Sequence, residues 1–213
     1  MDFEEFLQQI VKIKNLPLPG TAAHYKMAPE VRVRELETYL RKSKNPKKAA
    51  VMALFYPDME NLTRFLLILR KKYPGVHSGQ VGFPGGREEP GDQSMLDTAL
   101  RETEEEVGAA GAHIEVIRPV SQLFIPPSNF EVYPFLGVYR RTPQFRKQTS
   151  EVEDLVEIPL TEFMDDQNII STRMNTSYAK DIEVPAYSLG GHTVWGATAM
   201  MLSEIRELFR KIL

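Results

Sequence analysis

Cysteine is absent from all 213 residues. That excludes disulfides, thiolate metal sites and cysteine nucleophiles, and it is compatible with a reducing cytoplasm. Basic charge is not in surplus: 26 Lys and Arg face 29 Asp and Glu, for a formal net charge of −3. A nucleic-acid backbone demands a basic surface, so nucleic acid is not an expected partner. No apolar run approaches membrane-spanning length, and the opening MDFEEFLQQIVKIKN has no basic leader ahead of an apolar core. Neither a membrane span nor a signal peptide is expected, and the expected location is cytoplasmic. The chain has no internal repeat and no low-complexity tract. What remains is 42% hydrophobic and 26% charged residues, an ordinary soluble composition in a chain long enough for one sizeable domain.

Phe3, Phe6, Leu7, Ile10 and Ile13 recur at helical spacing, ahead of the breaker cluster Leu16-Pro17-Leu18-Pro19-Gly20. Residues 31–40 predict a second helix, with Pro29 at its start, and 43–48 read as a polar linker. Residues 1–48 are therefore expected to be a helical extension that covers a sheet edge or forms a homodimer contact, with the main domain at 49–213. Residues 49–56 and 64–70 predict paired strands, and 81–83 a short strand feeding a glycine turn. Further strands are expected at 114–125, 130–140 and 155–158, then a helical turn at 161–164. A late hairpin is expected from 169–174 and 182–189, and a C-terminal helix over 195–212. Strands interleaved with helices indicate an α/β fold with a mixed sheet and helices on both faces.

The most informative stretch is GREEPGDQSMLDTALRETEEEVG, from Gly86 to Gly108. Residues 95–107 predict an amphipathic helix, capped by Asp92 or Ser94 and ended by Gly108. At roughly 100° per residue, Glu102, Glu105 and Glu106 share one solvated arc, while Leu96, Ala99, Leu100, Thr103 and Val107 share another. Carboxylates crowded on one arc repel, and hard divalent cations with a preference for oxygen offset that repulsion best. Charge runs are more often solvated faces, and Glu88, Glu89 and Glu104 are read that way. A cation on a helix beside a glycine turn suggests phosphate chemistry.

Gly86, Asp92, Arg101, Glu102, Glu105, Glu106 and Gly108 together resemble the Nudix box, the signature of hydrolases that cleave a nucleoside diphosphate linked to another group. Asp92 stands where glutamate is usual, and its gap to Arg101 is one residue longer than in the general box. That extra residue, the run Phe83-Pro84-Gly85-Gly86 and the segment from Leu66 to Arg70 are similar to the coenzyme A pyrophosphatase subfamily. Ile68 replaces that subfamily's threonine, and Gly75 stands in place of its second arginine. The resemblance implies a Nudix-type α/β/α sandwich and metal-dependent hydrolysis of a small nucleotide derivative. Mg²⁺ or Mn²⁺ would be held by Glu102, Glu105, Glu106 and the carbonyl of Gly86. Arg101 would orient Glu105 across one helical turn. The general base is open: Glu151 and Glu153 are the best-placed residues outside the helix, and Glu102 or Glu105 could also serve.

Arg70, His77 and Gln80 resemble the subfamily's substrate motif. Arg70 could pair a phosphate, aided by Lys71 and Lys72, or the cluster could only end an edge strand with charge. Ser128, Asn129 and Phe130 fall on a loop that would flank the cleft, with Phe130 alternatively a core residue. Three functions follow: a coenzyme A diphosphatase releasing 4′-phosphopantetheine and adenosine 3′,5′-bisphosphate; a hydrolase of ADP-ribose, nucleotide sugars or dinucleoside polyphosphates; and a non-catalytic nucleotide sensor. The intact glutamates disfavour the sensor.

Overall fold

The computed structural model describes residues 1–33, 45–72, 78–176 and 180–213. Strand β1 (Lys47–Pro57) is the axis of the main sheet. One of its edges runs parallel to β7 (Phe130–Tyr139), from Lys47 opposite Phe130 to Phe55 opposite Val138. Its other edge is shared. The C-terminal end, Phe55 to Pro57, pairs antiparallel with β2 (Thr63–Arg70), and the N-terminal end, Ala49 to Val51, pairs with β4 (Gly85–Arg87). Beyond Phe65, β2 leaves β1 and takes up β3 (Val81–Gly82). The two central strands thus splay, and the turn between β3 and β4 lies where they part. On its outer edge β2 pairs with β8 (Val152–Pro159), while β5 (Ile114–Pro119) and β6 (Leu123–Ile125) pair with β7. The sheet is mixed, as expected.

Alternation along β1 builds two cores. Ala49, Ala53 and Phe55 face helix α1 (Phe3–Ile10) and the C-terminal helix, whereas Ala50, Met52, Leu54 and Tyr56 face the acidic helix. The latter, α3 (Met95–Val107), contributes Ala99 and Val107. The C-terminal helix, α5 (Gly196–Phe209), follows α2 (Thr21–Tyr25) and α4 (Leu160–Met164) in chain order. The sheet therefore lies between helices on both faces. A second sheet, ordered β11-β10-β9, is formed by β9 (Ile169–Met174), β10 (Ile182–Leu189) and β11 (His192–Trp195).

The N-terminal helical segment precedes this sheet and packs onto it. The Phe6 ring lies tilted against Phe55 at 5.3 Å between centroids and meets Phe209 edge-on at 5.7 Å. Buried Glu204 of α5 accepts hydrogen bonds from the Gly20 amide, the Ser121 amide and hydroxyl, and lies 3.0 Å from His24 Nε2. Arg118 donates to the carbonyls of Ile13, Lys14 and Leu16, closing the 3₁₀ turn after α1. Of the helix expected at 31–40, residues 31–33 are helical and the rest lies outside the described residues. The strand expected over 114–125 is broken between Pro119 and Leu123 into β5 and β6, and two short strands also differ from expectation. β4 was hidden because two of its three residues are glycine. β11 takes up Trp195, where the C-terminal helix was expected to begin, because Gly190 and Gly191 close a hairpin with β10.

Candidate active site

The site starts at Gly85. Its φ of 148° belongs to glycine, and a Cβ there would overlap the carbonyl of Ala50 and the backbone of Val51. Only a bare backbone packs this tightly against β1. Next along, a Cβ on Gly86 would fall inside the carboxylate of Glu102. The glycine turn and α3 therefore touch through backbone and carboxylate, with no side chain between.

Helix α3 starts where Ser94 accepts from the amide of Asp97, and it ends at Gly108, left-handed at φ 74°. Ser94, not Asp92, is the cap. Asp92 instead grips Arg101 with both oxygens, at 3.0 Å from Nε and 3.0 Å from Nη2, and also accepts from the Thr98 hydroxyl and the Glu89 amide. The Arg101 guanidinium holds this carboxyl well below the usual range, and the same bonds raise the pKa of Arg101. Arg101 reaches further, to Glu102 at 3.0 Å, Glu105 at 3.3 Å and the carbonyl of Arg87 at 3.1 Å.

The three glutamates occupy three environments. Glu105 is open to solvent, its side chain 53% exposed. Glu102 lines a cavity, and burial raises its pKa above the ordinary carboxylate value. Glu106 was expected on the solvated arc, yet its side chain is 1% exposed. The glycine turn covers that flank of the helix, and the Gly85 amide donates to Glu106 Oε2 at 2.8 Å. Burial, reinforced by the nearby charges of Glu102 and Glu151, pushes Glu106 up to about 7, against the pull of Arg70 and the Gly85 amide.

The cavity, about 690 Å³, opens where β1 and β2 part. Seven of the expected residues line it: Arg70, Gln80, Gly86, Glu102, Ser128, Phe130 and Glu151. Arg101, Glu105 and Glu106 stand beside or beneath it, and His77 lies outside the described residues. Sequence reasoning missed Arg87, Val51, Ala197, Thr198 and Met201. The signal for the last three was weak, because the start of the C-terminal helix reads as packing alone. Within the protein, Arg70 Nη2 donates to the Gly85 carbonyl at 2.7 Å, and its Nη1 lies 3.5 Å from Glu106 Oε1.

Among the described residues, no three acidic or histidine side chains meet at metal-ligand spacing. Arg101 stands between Glu102 and Glu105, and Glu106 is turned toward Gly85. The donor set nevertheless fits a hard divalent cation. Glu106 Oε1 is buried without a hydrogen-bond partner, the Gly86 backbone abuts the Glu102 carboxylate, and every candidate ligand atom is oxygen.

The chain has relatives among known proteins in both sequence and fold. A family model described as "NUDIX domain" matches residues 46–175. The chain is 34% identical to the human mitochondrial coenzyme A diphosphatase NUDT8 over 169 residues, 76% of this chain and 70% of that protein. It is 32% identical to the Nudix hydrolase NudL of Yersinia enterocolitica, covering 67% of this chain and 72% of the relative. The fold resembles that of the Nudix hydrolase RenU from M. smegmatis, with a TM-score of 0.55 at 14% identity over 80% of this chain and 90% of that one. A MutT/nudix family protein from Enterococcus faecalis gives 0.52 at 17% identity, over 88% and 72%.

Proposed function

Because the chain belongs to the Nudix hydrolase family, we propose that it hydrolyses the diphosphate of a nucleoside diphosphate joined to a second group. The observation that carries this reading is the contact of the Glu102 carboxylate with the Gly86 backbone on the wall of a cavity that Glu151 also lines. Glu102, Glu105, Glu106 and the Gly86 carbonyl would hold Mg²⁺ or Mn²⁺. When bound, such a cation offsets the charge of the diphosphate and acidifies water. Glu151 accepts the proton of the attacking water as its oxygen bonds to phosphorus, and the bridging P–O bond breaks with the electron pair leaving on the departing phosphate. Arg101, fixed by Asp92, keeps Glu102 and Glu105 apart and oriented. Arg87, exposed at the mouth, makes no ion pair with a described residue and suits a substrate phosphate.

Two substrate readings stand within this class. Coenzyme A is supported by the Phe83-Pro84-Gly85-Gly86 run and by the name of the human relative. ADP-ribose, a nucleotide sugar or a dinucleoside polyphosphate is favoured by Arg70. Its guanidinium is committed to Gly85 and Glu106, which leaves no arginine at the end of β2 for the 3′-phosphate of coenzyme A. The geometry favours this second reading. Incubation with each compound and Mg²⁺ or Mn²⁺, followed by chromatography of the products, tests both. Cleavage of coenzyme A with ADP-ribose untouched reverses the preference, and hydrolysis of no member of the panel overturns the enzyme.

A further inference from the structure

Arg70 ends β2 at a register shift: the pairing with β8 slips between Leu69 and Arg70. Such a bulge re-aims a side chain, and here the guanidinium turns toward the underside of the glycine turn. Three groups then close a ring. Arg70 Nη2 donates to the carbonyl of Gly85, the amide of Gly85 donates to Glu106 Oε2, and Arg70 Nη1 faces Glu106 Oε1. Glu106 Oε1 has no hydrogen bond and lies 3.5 Å from Arg70 Nη1. Without that cation, a carboxylate 1% exposed would sit near Glu102 and Glu151 with only a backbone amide to oppose its charge. The same guanidinium pins the peptide between Gly85 and Gly86, the unit against which Glu102 rests.

We propose that Arg70 is a positioning residue that locks Glu106 and the Gly85–Gly86 peptide in the orientation catalysis needs, and that it does not bind substrate phosphate. The planar fork is essential to this role, because a carbonyl and a carboxylate are addressed at once by two nitrogens of one rigid group. Lysine offers one point charge and satisfies one of them. The effect on turnover rests on the hydrolase reading above, while the effect on stability does not.

The experiment compares Arg70→Ala, Arg70→Lys, Glu106→Gln and the Arg70→Ala/Glu106→Gln double variant. Thermal unfolding is recorded in chelator at pH 8, and steady-state kinetics are recorded on any substrate the panel yields. Arg70→Ala is expected to melt about 5 °C lower or more. The loss should shrink to less than half in the Glu106→Gln background, where no charge is left to orphan. Arg70→Lys should recover part of the loss. In kinetics, kcat should fall about tenfold or more with KM within about twofold. Wild-type melting of Arg70→Ala, or an equal drop in both backgrounds, overturns the lock. A raised KM at unchanged kcat overturns it in favour of a phosphate contact. The melting arm needs no substrate, so failure of the hydrolase reading leaves it standing.

Discussion

Glu106 is pulled two ways: its burial favours the neutral acid, while holding a cation requires the carboxylate. Its folded-state pKa, about 7, lies above the ordinary 4.5. Between those values the folded protein keeps a proton that the unfolded chain has released. Metal-free stability from this group is therefore full below the lower value and declines as pH rises toward 7, by roughly 3 kcal/mol at about 1.4 per unit. Glu106→Gln cannot ionise. In chelator, its melting temperature relative to wild type is expected to be higher at pH 8 than at pH 5, and a gap independent of pH contradicts the buried carboxylate. Glu105→Gln should behave differently, melting like wild type because its side chain is 53% exposed, yet losing about a hundredfold or more in turnover. Equal activity would remove Glu105 from the machinery. The arc of three carboxylates was legible from helical spacing, but the burial of one was not. Burial is decided by the glycine turn lying across the helix, a contact that no period along α3 encodes. The direction of Arg70 was illegible for the same reason: it comes with the slip between β2 and β8.

At the scale of elements, the glycine turn and α3 work as one unit with two different intolerances. In Gly85→Ala the new Cβ meets the carbonyl of Ala50, at a φ that L residues rarely adopt. In Gly86→Ala it meets a carboxylate at the end of a side chain, which can move aside. The first variant should lose several degrees of melting temperature. The second should keep most of its stability and lose turnover, because Glu102 is displaced. Similar melting losses in both would show that the turn has no such division. Helix α3 was readable in the sequence to its last residue, since Ser94 and Gly108 mark its ends by local chemistry. The late hairpin was equally legible, with β9 and β10 at their expected bounds. β4 was not, because three residues with two glycines carry no strand signature, and it exists only through its pairing with β1.

Over the whole molecule, the N-terminal helical segment is tied to the same packing that frames the cavity. Phe6 touches Phe55 of β1 and Phe209 of α5, and the first turns of α5 supply Ala197, Thr198 and Met201 to the cavity wall. Phe6→Ala is expected to cost about 3–5 kcal/mol, read as a lower urea midpoint. A midpoint within error of wild type would make the segment an appendage. The spacing of Phe3, Phe6 and Ile10 announced a buried helix face, but not which surface it would bury against. The parallel pairing of β1 with β7 carries a further consequence. A ribosome must release everything from Lys47 to Phe130 before the central strand can meet its neighbour, so the nascent chain carries an open, apolar edge through a long interval of its synthesis. Productive folding in a crowded cell then depends on how long that edge is shielded.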